Sequence, residues 1–155
     1  MNCNYDSPQI KKICKNWDVM YINRVRNKEV ISKETVNTLK LLNKKYLIGI
    51  ITSGEKQIAD AALKKHNKLF DFILTAEDYS KPKPNPLSLL KIMKKYKLKG
   101  NNVIFVGDNV KDIIFGKNAK TKTIGKIDVL FNKKQLQKYK PDAIIKNISD
   151  LKCLI

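Results

Sequence analysis

The chain has 155 residues, with 32 Lys and Arg against 14 Asp and Glu, a net charge of +18 and 43% apolar residues. That length and apolar content suit a single domain burying roughly 70% of its unfolded surface, which excludes intrinsic disorder. No stretch approaches the roughly 20 apolar residues of a membrane span, and Met1 to Asp6 contains neither a basic leader nor an apolar segment, so the expected compartment is the cytoplasm.

Ser7-Pro8 reads as a helix cap followed by proline at the first helical position, and Ile10, Ile13, Cys14 and Trp17 recur at helical spacing to about Tyr21. Ser32 is a second cap, ahead of an apolar stripe of Val36, Leu39 and Leu42 on a helix ending near Lys44. Tyr46 to Thr52 is then a short continuous apolar run, as expected of a parallel strand covered on both faces. A helix from about Glu55 to Lys65 follows. Similar short runs recur at 72–75, 103–106, 121–124 and 143–145, separated by helical patterns at 86–96, 110–119 and 133–139. Strands alternating with helices predict an α/β fold, a three-layer Rossmann-like and mostly parallel sheet flanked by helices. In such sheets ligands bind beyond the carboxyl ends of the strands.

Charge and cysteine content narrow the chemistry. Only Arg24 and Arg26 are arginines, and the lysines scatter from Lys11 to Lys152 without the arginine forks or interleaved aromatics of a nucleic-acid surface. The densest run, Lys91, Lys94, Lys95, Lys97 and Lys99, reads as a solvated helix face. Cys3, Cys14 and Cys153 are an odd number with no Cys-x-x-Cys pair, which suggests reduced thiols rather than disulfides or zinc. His66 is the single histidine, so a histidine-based metal site or a Ser-His-Asp triad is not expected and any metal would sit on carboxylates.

Three strand ends carry polar groups suited to an anion and a cation. Thr52-Ser53-Gly54 lies where a strand gives way to a helix, placing a hydroxyl and free N–H groups where an oxyanion can bind, although the same residues serve equally as a helix cap. Lys81-Pro82-Lys83-Pro84 is a stiffened loop able to hold an ammonium over a site, or simply a lysine-bearing loop capping the next helix. Gly107-Asp108-Asn109-Val110-Lys111-Asp112 sets two carboxylates one helical turn apart after a buried strand. Hard oxygen donors in that pattern suit Mg²⁺, and the alternative is Asp108 or Asn109 as a helix cap.

In this order the three loops resemble the haloacid dehalogenase superfamily of phosphohydrolases, particularly its phosphoglycolate phosphatase-like branch, over about Ile31 to Ile155. Ile48 to Gly54 is similar to the family's second motif, whose hydroxyl binds the transferring phosphoryl group, here Thr52. Ser80 to Pro86 resembles the third motif, whose lysine stabilises nucleophile and phosphate charge, here Lys81. Val103 to Asp112 resembles the fourth, with Asp108 as Mg²⁺ ligand and Asp112 as a supporting carboxylate. Pro141 to Ile145 and Ile148 to Leu151 are similar to the family's closing strand and helix. A phosphoacceptor receiver domain also uses Asp, Thr and Lys-Pro, but places its acidic residues first, whereas here Thr52 comes first and Asp108 last.

The family's first motif, an apolar strand ending in Asp-x-Asp, is not found. Asp6 ends a polar hexapeptide, and Asp18 has Met20 two positions on. The resemblance therefore implies residues 1–30 as the remnant of a helical cap and 31–155 as a core lacking its first strand. It implies a Mg²⁺-dependent phosphatase of small phosphorylated metabolites by descent, truncated and inactive as an isolated chain, or else a catalytically silent phosphate- or partner-binding protein. Because the first-motif strand belongs between the strands ending at Thr52 and Val106, those two strands are expected to pair directly. Otherwise a homo-oligomer or a complementing N-terminal fragment would fill the gap.

Overall fold

The computed structural model describes residues 7–26 and 29–155. In chain order the elements are α1 (Pro8–Arg26), α2 (Lys33–Leu42), β1 (Gly49–Ile51), α3 (Lys56–Leu63), β2 (Phe72–Leu74), α4 (Leu87–Lys95), β3 (Ile104–Gly107), α5 (Val110–Asn118), β4 (Lys122–Lys126), α6 (Lys133–Gln137) and β5 (Ala143–Ile145). A 3₁₀ turn at Ile148–Cys153 closes the chain. Each strand expected from an apolar run is present, and the helices between them lie where their periodicity places them.

Local chemistry explains several boundaries. Ser32 caps α2 by accepting the Thr35 N–H at 3.1 Å. Asn132 and Gln135 form a reciprocal capping box that starts the short α6, whose Leu136 is fully buried. The first helix runs past the expected end at Tyr21 to Arg26, because Ile22 and Val25 continue the apolar spacing and are buried. The stripe of Ile10, Ile13, Cys14 and Trp17 lies outside the described side chains. β1 is shorter than the apolar run containing it, since Tyr46 and Leu47 stay exposed ahead of the ladder.

All strand pairs are parallel, but the sheet comes in two parts: β1 pairs with β2, and β3, β4 and β5 pair in that order. The expected direct pairing of the Tyr46 to Thr52 run with Val103 to Val106 is not formed. Layers of side chains cover both faces. On one face Leu89 and Met93 of α4 pack with Phe115 and Ala119 around α5, against Ile51 of β1 and Phe105 of β3. On the other, Ile124, Ile145 and Leu151 cluster with Leu42 of α2 and with Ile104 and Val106. Between these layers the facing edges of β1 and β3 line a groove of about 1220 Å³. The alternative of residues 1–6 as a central strand falls outside the described residues.

Candidate phosphate and cation site

The groove opens at the carboxyl ends of β1 and β3, where Thr52, Ser53, Gly54, Lys83, Asp108 and Asp112 all line it. Thr52 directly follows the ladder: its N–H donates to the Leu74 carbonyl at 2.9 Å. Its hydroxyl oxygen accepts the Gly54 N–H at 3.0 Å, so the hydroxyl proton remains to be donated elsewhere. The Tyr79 hydroxyl donates to the Thr52 carbonyl at 2.7 Å and fixes the turn from behind, a support that no sequence pattern indicated. Ser53 is exposed at the mouth.

The helix start beyond this turn already has an anion. Both carboxylate oxygens of Glu77 accept the Lys56 N–H, at 3.0 and 3.1 Å. That backbone hydrogen bond, before all other influences, holds the Glu77 carboxyl below its usual range. The N–H groups left to meet a ligand are therefore those of the turn rather than those inside α3.

The lysine at the site is Lys83, not the expected Lys81. Lys83 Nζ donates to Asp112 Oδ1 at 2.7 Å and to the Ile51 carbonyl at 3.0 Å, with only 10% of its side chain exposed. It lies 5.8 Å from the ring centroids of both Phe105 and Phe115, so aromatic faces offset part of its desolvation. Lys81 is exposed and does not line the groove. The reason is geometric. The loop turns at Lys83 and Pro84, closed by the Asn85 N–H donating to the Pro82 carbonyl at 3.0 Å, and it is Lys83 that this turn brings to the groove.

Asp112 is buried, and its N–H is capped by Asn109 Oδ1 at 3.1 Å, so the capping role open to Asp108 or Asn109 falls to Asn109. Asp108 is left at the mouth, exposed on one side and crowded by protein on the other. Desolvation first, then the hydrogen bond and charge of Asp112 and the charge of Asp128, raise its carboxyl above the usual range. Gly107 is required by this packing, because a Cβ there would collide with the Asp112 side chain.

These donors fit one kind of cation. Among the described residues no three His, Cys, Asp or Glu side chains converge to cage a metal. What is present is one exposed carboxylate, Asp108, which accepts from the Asn109 amide at 3.2 Å, beside a second already paired with Lys83. Mutually repelling carboxylates gain from a cation, and Mg²⁺ is commonly held by one or two carboxylates, with waters and substrate phosphate completing its shell.

Strand order and the polar loops at the strand ends define an α/β domain of parallel strands with a polar groove at their carboxyl ends. The chain belongs to the haloacid dehalogenase-like hydrolase family, whose sequence profile matches residues 5–126. It is 38% identical over 120 residues to the pyrophosphatase PpaX of Bacillus mycoides (strain KBAB4), covering 76% of this chain and 55% of that protein. To the pyrophosphatase PpaX of Bacillus thuringiensis (strain Al Hakam) it is 37% identical over the same length. The chain thus spans about half the length of the curated relatives it matches. Among solved structures it resembles a predicted phosphoglycolate phosphatase from Haemophilus somnus 129pt, with a TM-score of 0.81 at 20% identity, covering 94% of this chain and 66% of that one. A hydrolase from Pseudomonas syringae gives 0.80 at 22%, covering 94% and 67%. At such identities the structures speak for the shared fold.

Proposed function

We propose that this chain supplies the phosphate- and cation-binding part of a Mg²⁺-dependent phosphohydrolase site for a small phosphorylated metabolite, and that by itself it binds without turning over. The observation carrying this reading is that a hydroxyl donor, an ammonium and an exposed carboxylate line one groove at the ends of two parallel strands. The Thr52 hydroxyl and the turn N–H of Ser53 donate to phosphoryl oxygens, while the Gly54 N–H, bonded to the Thr52 hydroxyl oxygen, orients that hydroxyl. Lys83 places positive charge beside them, in the role the sequence suggested for Lys81. Asp108 is the metal ligand, and Asp112 orients Lys83 and the loop. Bound Mg²⁺ would offset the charge of the phosphoryl oxygens.

Hydrolysis through an aspartyl-phosphate also needs a nucleophilic carboxylate, and positioning alone does not replace it. Among the described residues, the carboxylates lining the groove are Asp108 and Asp112, and both have other partners or roles. Residues 1–30, with α1 packed on α3, are read as the remnant of a cap.

NMR titration of the purified chain with Mg²⁺ and inorganic phosphate tests this. Shifts are expected at Thr52 to Gly54 and Gly107 to Asp112, those at the second loop being lost in Asp108→Ala, with no phosphate released from a small ester. Shifts unchanged in Asp108→Ala would remove the metal assignment. Mg²⁺-dependent turnover that disappears in Asp108→Asn would mean that another carboxylate has been recruited as nucleophile.

A further inference from the structure

Lysines that scatter along the sequence are gathered by the fold at one end of the domain. The strands are parallel within each half-sheet, so every connection leaves a strand at its carboxyl end and returns to the amino end of the next. Lys83 joins the carboxyl ends of β1 and β3, so the amino ends of both half-sheets face the opposite way. The connectors that lead into the strands, residues 43–48, 64–71, 95–103, 117–122 and 138–142, hold 13 lysines against two acids, Asp71 and Asp142. Those that lead out, 52–56, 75–86, 108–112, 127–133 and 146–150, hold six lysines and seven acids. Asp71 and Asp142 accept the Ile48 and Thr123 N–H groups at 2.8 and 2.7 Å, so both carboxylates of the basic end are held on backbone.

Three lysines of this end stand where glycine is usual. The Leu98 N–H donates to the Met93 carbonyl at 2.8 Å and the Thr121 N–H to the Gly116 carbonyl at 3.2 Å, closing α4 and α5 around left-handed Lys97 (φ 55°) and Lys120 (φ 56°). Lys140, after α6, has φ 50°. All three side chains are exposed. A Cβ on Gly100 would strike the Lys120 carbonyl, so the connectors after α4 and α5 touch and form one surface. Lys44 and Lys45 reach the same end from α2, which packs on the other face of the sheet from α4 and α5. The charge therefore covers an area rather than a line.

We propose that this end of the domain docks reversibly on an anionic lipid bilayer. The inference goes beyond the phosphohydrolase reading and does not depend on it. A plane of lipid phosphates meets lysines from both layers at once, and point charges on flexible stems suffice there. A nucleic-acid backbone is a narrower track that favours arginine forks, and both arginines, Arg24 and Arg26, belong to α1. Tyr46, Leu47 and Tyr139 are exposed at the same end, and amphipathic rings settle at the headgroup boundary while lysine stems reach past them to phosphate. Docked in this way, the domain turns the mouth of its groove away from the bilayer and toward solvent.

Cosedimentation of the full chain with vesicles tests this, using phosphatidylglycerol and phosphatidylcholine in equal parts against phosphatidylcholine alone. Binding is expected to the anionic vesicles and to be lost as salt rises to about 1 M. The triple variant Lys97→Gly, Lys120→Gly, Lys140→Gly removes charge at positions whose φ suits glycine, so the fold is kept, and its affinity is expected to fall by at least about tenfold. Lys56→Gln, Lys133→Gln, Lys146→Gln removes the same net charge at the opposite end and should stay within about twofold of the parent. Should the glycine variant fail to fold, Lys44→Gln, Lys45→Gln, Lys99→Gln makes the same test at the basic end. Equal losses at the two ends would show net charge acting alone and overturn the proposal, as would equal binding to neutral vesicles. Absence of vesicle binding would also overturn it, including the case in which a duplex RNA is bound through the same lysines instead. So would release of the vesicles by inorganic phosphate at constant ionic strength, which would put the lipid phosphate in the groove.

Discussion

Lys83 connects three parts of the molecule at one atom: the edge of β1 through the Ile51 carbonyl, the start of α5 through Asp112, and the aromatic pair Phe105 and Phe115, themselves edge to face at 4.9 Å. Breaking a buried ion pair by removing one partner leaves an uncompensated charge. Lys83→Met is therefore expected to lower unfolding stability by about 3 kcal/mol, against no more than about 0.5 kcal/mol for the exposed Lys81→Met. Urea denaturation of the two variants measures the difference, and equal losses would contradict the assignment. Gly107→Ala is expected to cost about 1 to 3 kcal/mol, because the added methyl meets Asp112 and that carboxylate cannot move without releasing Lys83. A thermal melt reads this directly.

At the scale of elements, much was legible because each local signal had one physical solution. Ser32 and the stripe of α2, the apolar runs of β2 to β5 and the turn after Thr52 all form where capping chemistry and periodicity place them. The choice between Lys81 and Lys83 was not legible, since both precede proline and only the packing of α5 decides which reaches Asp112. Tyr79 and Glu77 escaped for a related reason: their partners, Thr52 and Lys56, are 27 and 21 residues away, and no local spacing encodes such contacts.

The closing 3₁₀ turn shows an element whose stability titrates. Asp150 accepts the backbone N–H groups of Asn147 and Lys146, both at 2.9 Å, and these bonds, Asn147 first, hold its carboxyl below the usual range. A carboxylate with a lowered folded pKa contributes stability that is fully present above its unfolded value, near about 4, and lost as pH falls through the folded value. Asp150→Asn should therefore be less stable than the parent at pH 7 and converge with it under acid, as measured by thermal melts across that range. A constant difference down to pH 2 would argue against the titrating cap.

At the scale of the whole molecule, the described backbone pairing leaves the two half-sheets unjoined across the groove, so side-chain layers and Lys83 hold them together. Native-state hydrogen exchange is expected to show β1 and β2 opening as a unit at lower free energy than β3, β4 and β5, whereas equal opening energies would mean that the helical layers alone make the halves cooperative. With a net charge of +18 the folded state also repels itself, and added salt should raise the melting temperature by screening that repulsion.

The same lysines bear on what happens when many copies share a solution. Two strand edges open to a groove are templates on which any loosened segment of a neighbouring molecule can pair, the usual start of precipitation. Lys45, Lys122 and Lys126 around that opening keep neighbours at a distance while the Debye length, about 8 Å at 0.15 M salt, still reaches between molecules. Colloidal behaviour and conformational stability therefore respond to salt in opposite senses: the ionic strength that tightens the single molecule also lets molecules meet edge to edge, and light scattering at about 1 M salt is expected to rise even as the melting temperature does.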